Sequence, residues 1–295
     1  MADSPVQGIE GEDAASAARL EEGTALCLSG GGYRAMLFHV GTLWRLYEAG
    51  QLRDIKRISS VSGGSITAGL LGLKWSRLSF DAARLRDDFV SELVTPLRAL
   101  ASTTIDIPSV LSGLLLFGRV SDRIQASYER YLFGNATLQN LPDAPRFVIN
   151  ATNVQSGALW RFMKPYMRDY RVGEVRKPTI PLSLAVAASS AFPPVLSPLE
   201  LELDPASFTP GSGIDLQRQP FTSKVFLTDG GVYDNMGLEA AWKRYKTILV
   251  SDAGGKMQAE AEPRSDWVRH AYRVLDIVDS QVRSLRKRQV IDAFK

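Results

Sequence analysis

Ile55-Lys56-Arg57-Ile58-Ser59-Ser60-Val61-Ser62-Gly63-Gly64-Ser65-Ile66-Thr67-Ala68-Gly69-Leu70-Leu71 opens as a strand and closes as a helix. The β-branched residues up to Val61 favour a pleated conformation, and the small residues after Ser62 suit a tightly packed helix start. Ser62 falls at the joint. A serine on such a turn is held exposed in a strained backbone, the arrangement of a nucleophile elbow, and glycine at 64 permits close backbone approach. The usual pattern has glycine two residues before the serine, where this chain has Ser60. Taken alone, the stretch also fits an ordinary strand-loop-helix joint.

Upstream, Thr24-Ala25-Leu26-Cys27-Leu28 reads as a short buried strand. Tyr33 to Ala49 reads as a helix, with Met36, Leu37, Val40, Leu43, Trp44 and Tyr47 at helical spacing and Gly50 as its stop. Between them lies Ser29-Gly30-Gly31-Gly32. Three glycines at a helix N-terminus leave backbone N–H groups directed outward, where they suit an oxygen that gains negative charge in a tetrahedral intermediate. Gly30, Gly31 and Gly32 are therefore the candidate oxyanion hole, and Arg34 adds a cation able to support the loop or hold a phosphate head group. The same run fits a dinucleotide fingerprint, but that reading needs an acidic residue at the end of the next strand. Asp54 precedes that strand, which ends instead in Ser62-Gly63-Gly64.

Lys224 to Thr228 reads as a third strand, running into Asp229-Gly230-Gly231. This puts a carboxylate at the carboxyl edge where α/β sheets assemble their sites. With all three motifs in this order, the chain resembles the patatin-like phospholipases over most of residues 24 to about 255. Its Ser29 to Met36 stretch is also similar to the glycine loop of the cytosolic phospholipase A2 branch. The resemblance implies a three-layer α/β/α hydrolase with a central, mostly parallel sheet. It implies a Ser62–Asp229 dyad with Gly30 to Gly32 as oxyanion hole, cleaving acyl esters of phospholipids or lysophospholipids through an acyl-enzyme. No cofactor or metal is expected, and no calcium-binding loop is visible. A free aspartate is a poor base for a hydroxyl, so such a site must lean on desolvation and oxyanion stabilisation. A catalytically inactive lipid- or protein-binding module of the same fold is the alternative, against which the intact motifs argue.

Histidine is scarce, which agrees with a dyad. His39 lies within the helix after the glycine loop and His270 in a C-terminal helical stretch. Both read as packing or solvent-facing residues. Ser59, Ser60 and Ser65 read as turn residues that satisfy backbone groups, Asp234 and Asn235 as caps for a following helix, and Asp252 as a substitute base. Leu182 to Pro194 reads as a small-residue helix stopped by its prolines, and the resemblance implies that it packs below the active-site loops.

The remainder bounds the answer. A chain of 295 residues with 45% hydrophobic content buries a core large enough for one α/β domain. A formal charge of +3 and the lack of a basic-aromatic stripe argue against a nucleic-acid partner. Cys27, the lone cysteine, excludes an intramolecular disulfide and suits a reducing, cytoplasmic setting. Met1 to Gly23 reads as a flexible leader and 24–295 as a single catalytic domain. Phe80 to Leu100 and Val120 to Tyr131 read as helices, Arg146 to Phe162 as a hairpin, and the apolar 108–118 stretch as a buried helix or an interfacial cap, being too short to span a bilayer. In residues 264–295 an amphipathic helix carries Arg283, Arg286, Lys287 and Arg288, either as a solvated face or as a contact for anionic phospholipid. No terminating turn follows it, which suggests a continuing chain.

Overall fold

The computed structural model describes residues 20–80, 85–103, 119–193, 196–242, 244–255, 257–263 and 265–294. The apolar 108–118 stretch and most of the expected leader lie outside these residues. Strand β1 (Glu21–Leu28) is longer than its apolar run predicts, taking in Glu21 to Gly23 from the expected leader. The cause is pairing: Glu21 N–H donates to Arg244 O, and Glu21 lies opposite Tyr245.

From β1 the chain passes through the glycine loop into helix α1 (Gly32–Glu48), then β2 (Ile55–Val61) and α2 (Gly63–Lys74). Helices α3 (Leu85–Phe89) and α4 (Thr95–Ser102) are joined by a π-turn over Val90–Val94, so the expected 80–100 helix is present from Leu85 with a local widening, while Phe80 is not helical and 81–84 lie outside the described residues. Helix α5 (Arg119–Tyr128) also runs into a π-turn, Glu129–Phe133. Strands β3 (Arg146–Asn153) and β4 (Ala158–Phe162) form the expected hairpin. After them come β5 (Tyr166–Asp169), β6 (Gly173–Arg176), α6 (Leu182–Ser189), β7 (Leu199–Glu202), β8 (Lys224–Asp229), the short α7 (Gly231–Asp234), β9 (Tyr245–Ser251) and α8 (Trp267–Ala293).

These strands form one sheet in the order β6-β5-β4-β3-β2-β1-β9, with β8 paired to β3 and β7 to β8. The centre, β9-β1-β2-β3, is parallel. Strands β4 to β6 and the β7–β8 pair extend it antiparallel. The α/β architecture is the expected one, and its parallel character is concentrated where the glycine loop and the elbow leave the sheet.

Alternation along β1 divides two apolar layers. Leu26 and Leu28 join the main core with Met36, Leu43, Leu70 and Val186, from α1, α2 and α6. Ala25 and Cys27 point to the other face, against Met236, Leu238, Ala241 and Tyr245. Burial pushes the Cys27 thiol pKa up, which keeps it a small apolar side chain rather than a nucleophile.

Candidate active site

Ser62 sits between β2 and α2 with φ 51° and ψ −121°. Of the described residues other than glycine, it and Lys177 alone have positive φ. Holding such a conformation costs about 1–3 kcal/mol, which the surrounding bonds must offset. Ser62 N–H donates to Ser189 Oγ at 2.9 Å, and Ser189 Oγ donates to Asn150 O at 2.6 Å. Ser65 Oγ meets Ser189 Oγ at 2.9 Å and donates to Ser60 Oγ at 3.0 Å, while Asn150 Nδ2 donates to Ser59 Oγ and Ser60 O, each at 2.9 Å. The flanking serines thus satisfy the turn. Helix α6, read from sequence as packing alone, contributes the hydroxyl that grips the Ser62 backbone. Nothing local distinguishes Ser189 from its serine neighbour, so the sequence carries no signal for that role.

The same helix end positions the carboxylate. Asp229 N–H donates to Ala191 O at 2.9 Å and Gly230 N–H to Ser189 O at 3.2 Å. Asp229 is 2% exposed and Ser62 6%. Asp229 Oδ1 accepts from Gly231 N–H at 2.7 Å, whereas Oδ2 is buried without a partner of settled geometry. Burial lifts the Asp229 pKa, the Gly231 N–H and the Ser62 hydroxyl lower it, and the charge of Asp279 raises it, with a net value pushed up to about 7. A buried carboxylate with an open lone pair and a hydroxyl beside it is a base poised near neutrality.

The glycine loop packs directly on this pair. A Cβ built on Gly30 lies 3.3 Å from Ser62 Cβ. Gly30 N–H is already committed, donating to Asn235 O at 2.9 Å. The amides of Gly31 and Gly32 have no hydrogen-bond acceptor among the described residues, and both residues are exposed, with φ 136° and 63°. Of the three candidate glycines, Gly30 shapes the loop while Gly31 and Gly32 present N–H groups. Arg34 is exposed, and its guanidinium lies against Gly31 and Gly255.

Asn235 is a residue that sequence reading assigned to capping alone. Its Oδ1 lies 2.3 Å from a Cβ built on Gly30 and 2.9 Å from one built on Gly231, so its amide fills the space both glycines leave. Its Nδ2 donates to Asp279 of α8 at 3.2 Å. Asp234, rather than Asn235, takes the capping role, accepting from Glu239 N–H at 2.7 Å and Met236 N–H at 3.3 Å, although the segment it caps is a series of turns.

Asp252 does not join the pair. Burial would raise its pKa, but Lys287, Gly254 N–H and Arg283 together hold it low. It is ion-paired to Arg283 at 2.7 Å and Lys287 at 2.5 Å. Arg286 pairs with Glu239 at 3.0 Å. Three of the four C-terminal cations therefore pair with the protein's own carboxylates and fasten α8 down.

His39 is fully buried, not solvent-facing. Its Nε2 meets Ser29 O at 2.8 Å, and a carbonyl only accepts, so Nε2 carries the proton. Nδ1 then accepts from Ser251 Oγ at 2.8 Å, which accepts in turn from Thr42 Oγ1 at 2.9 Å. Burial lowers its pKa, keeping it neutral. The ring ties the ends of β1 and β9 together. Replacing His39 with Phe is expected to lower stability by about 1–3 kcal/mol in urea denaturation, by stranding Ser29 O and Ser251 Oγ. The shape of the pH–rate profile should stay unchanged, which loss of a catalytic imidazole would not allow.

Among the described residues, no group of three or more His, Cys, Asp or Glu side chains is placed to hold a metal ion. None of their helices is long and apolar enough to cross a membrane.

A family model described as patatin-like phospholipase matches residues 26–242, which span all three motifs. No curated protein sequence matches the chain. Among solved structures, human GIVD cytosolic phospholipase A2 is 12% identical with a TM-score of 0.48, over 76% of this chain and 42% of that one. Its complex with methyl gamma-linolenyl fluorophosphonate is 18% identical with a TM-score of 0.41, over 61% and 30%. VipD from Legionella pneumophila is 17% identical with a TM-score of 0.34, over 74% and 47%. The chain thus spans less than half the length of each of these proteins.

Proposed function

The chain belongs to the patatin-like phospholipase family, a family of lipid acyl hydrolases, and from that premise we propose that it cleaves acyl esters of phospholipids or lysophospholipids with a Ser62–Asp229 dyad. The observation that carries this reading is the buried Asp229 carboxyl, lifted towards neutrality, beside a serine held at positive φ. Asp229 takes the Ser62 proton as Oγ attacks the ester carbonyl. The Gly31 and Gly32 amides receive the oxyanion, and the leaving alcohol departs with the proton that Asp229 held. Water then gives a proton to Asp229 as it attacks the acyl-enzyme, and Asp229 passes that proton to Ser62 Oγ as the fatty acid leaves, restoring both members of the dyad. Charge separation is small at each step, because the carboxyl is neutral after the first transfer.

This reading extends to work at a lipid surface in a reducing compartment, as a single domain that includes β1 from Glu21. Helix α8 supports it. Its docked side holds Asp279, Arg283 and Arg286, while Trp267, Val274, Val278 and Leu285 on its other side are exposed. An apolar stripe beside a lipase site suits shallow insertion at a bilayer interface.

The experiment is hydrolysis of soluble short-chain esters and of phospholipid vesicles, with a fluorophosphonate probe read by mass spectrometry. Wild type should turn over and carry the label on Ser62. Ser62→Ala should lose both, with turnover down by about 10³-fold or more. An unlabelled wild type without turnover would instead favour the inactive binding module of the same fold.

A further inference from the structure

A cavity of about 260 Å³ lies between α8 and the segment after β9, lined by Gly254, Gly255, Ser280, Arg283, Ser284 and Lys287. It is joined to the catalytic loop by direct packing. Ala253 N–H donates to Ser29 Oγ at 2.8 Å. A Cβ built on Gly31 lies 3.8 Å from both Ala253 O and an Arg34 guanidinium nitrogen, and one built on Gly255 lies 3.1 Å from another nitrogen of that guanidinium. The Gly254–Gly255 wall of the cavity thus continues the segment that packs against Gly31.

We propose that this cavity is the subsite for the phosphodiester of a phospholipid substrate, with Arg283 and Lys287 of α8 as its cations. The proposal rests on the hydrolase reading above and names the part of the substrate that reading leaves open.

Charge balance favours an anion of this size. The charged side chains that line the cavity are Arg283 and Lys287, and both pair with Asp252. Two cations against one carboxylate leave one net positive charge at the lining, which matches a single phosphodiester. Arg283 also has donor capacity left. One terminal nitrogen binds Asp252 and the other Gly255 O at 3.4 Å, but Nε is buried without a partner. The guanidinium rests on the bare face of Gly254, where a Cβ would come within 1.8 Å of it. A planar fork with only two of its five N–H groups committed, and a second N–H on each terminal nitrogen, is suited to phosphate oxygens. Lys287, half-exposed, adds a mobile point charge at the rim.

The test is equilibrium binding to the Ser62→Ala protein by calorimetry, so that it does not depend on turnover. The probes are monomeric dihexanoylphosphatidylcholine, 1,2-dihexanoylglycerol and inorganic phosphate. Two variants disturb the subsite by different routes. Lys287→Gln removes a charge. Gly254→Ala keeps every charge but displaces the Arg283 guanidinium, a flexible end that can swing aside without unfolding the loop. Each should weaken the phosphatidylcholine about tenfold and leave the diacylglycerol within twofold. Equal weakening of both lipids, or of neither, would overturn the subsite. Inorganic phosphate that bound more tightly than the lipid, without competing with it, would overturn the assignment to lipid. Fluorophosphonate labelling of wild-type Ser62 reads the catalytic proposal separately, so failure of one is distinguishable from failure of the other.

Discussion

Asp229→Asn is expected to abolish turnover while making the protein more stable at pH 8. Both effects come from one desolvated carboxyl. As the base it must be ionised, so wild-type kcat/KM on a soluble ester should rise with pH and level off above about 7, the value to which burial lifts the Asp229 pKa. Stability runs the other way. A carboxyl with pKa near 3.9 unfolded and about 7 folded holds its proton better in the native state, so stability declines as pH rises between those values. Above pH 7 the native state carries the full cost, up to about 4 kcal/mol when the shift is converted at 1.36 kcal/mol per pH unit. Asparagine removes that cost and also the base. Thermal melts of the two proteins should therefore converge towards pH 4 and separate by several degrees at pH 8. An Asp229→Asn protein that kept turnover, or whose melting tracked wild type at every pH, would show that this carboxyl is neither the base nor buried as charge.

Gly63→Ala is expected to remove activity through the backbone, although it touches neither member of the dyad. A Cβ on Gly63 would lie 2.1 Å from Gly32 O, 2.9 Å from Gly32 C and 3.1 Å from Met36 N. All three are main-chain atoms at the start of α1, so no side chain can yield. Either α1 shifts with the glycine loop, or α2 shifts with Ser62. The nucleophile and the Gly31 and Gly32 amides then lose their mutual register, and displacements of about 1 Å cost on the order of 10²-fold in rate. Overpacking adds about 3 kcal/mol of destabilisation, which for a domain of this size lowers Tm by roughly 6–12 °C. Gly41→Ala is the control. Gly41 is exposed in the middle of α1, with nothing within 4 Å of a built Cβ. There the gain in helix propensity should stabilise by about 1 kcal/mol and leave the rate alone. Similar losses in both variants would show that glycine content, rather than the contact between loop and elbow, governs the site.

The strand-turn-helix joints that carry Ser62, Asp229 and the glycine loop were legible in the chain because each is made by neighbours. β-branched runs, small residues after the serine and successive glycines act over a few positions, and the chemistry of those residue types follows from them. The long helices and the β3–β4 hairpin were legible for the same reason. What the chain did not disclose depends on residues far apart along it. Strands β5, β6 and β7 are only four residues each, too short to show a period. Ser189 grips the Ser62 backbone, His39 braces Ser29 against Ser251, and Asn235 fills the gap between Gly30 and Gly231, all across the folded sheet. The C-terminal cations read as a free basic face, because their partners Asp252 and Glu239 come from elsewhere in the fold. Nor does a sequence contain the burial that lifts Asp229 into the range of a working base. Desolvation belongs to the packed molecule, and residue identity alone carries no measure of it.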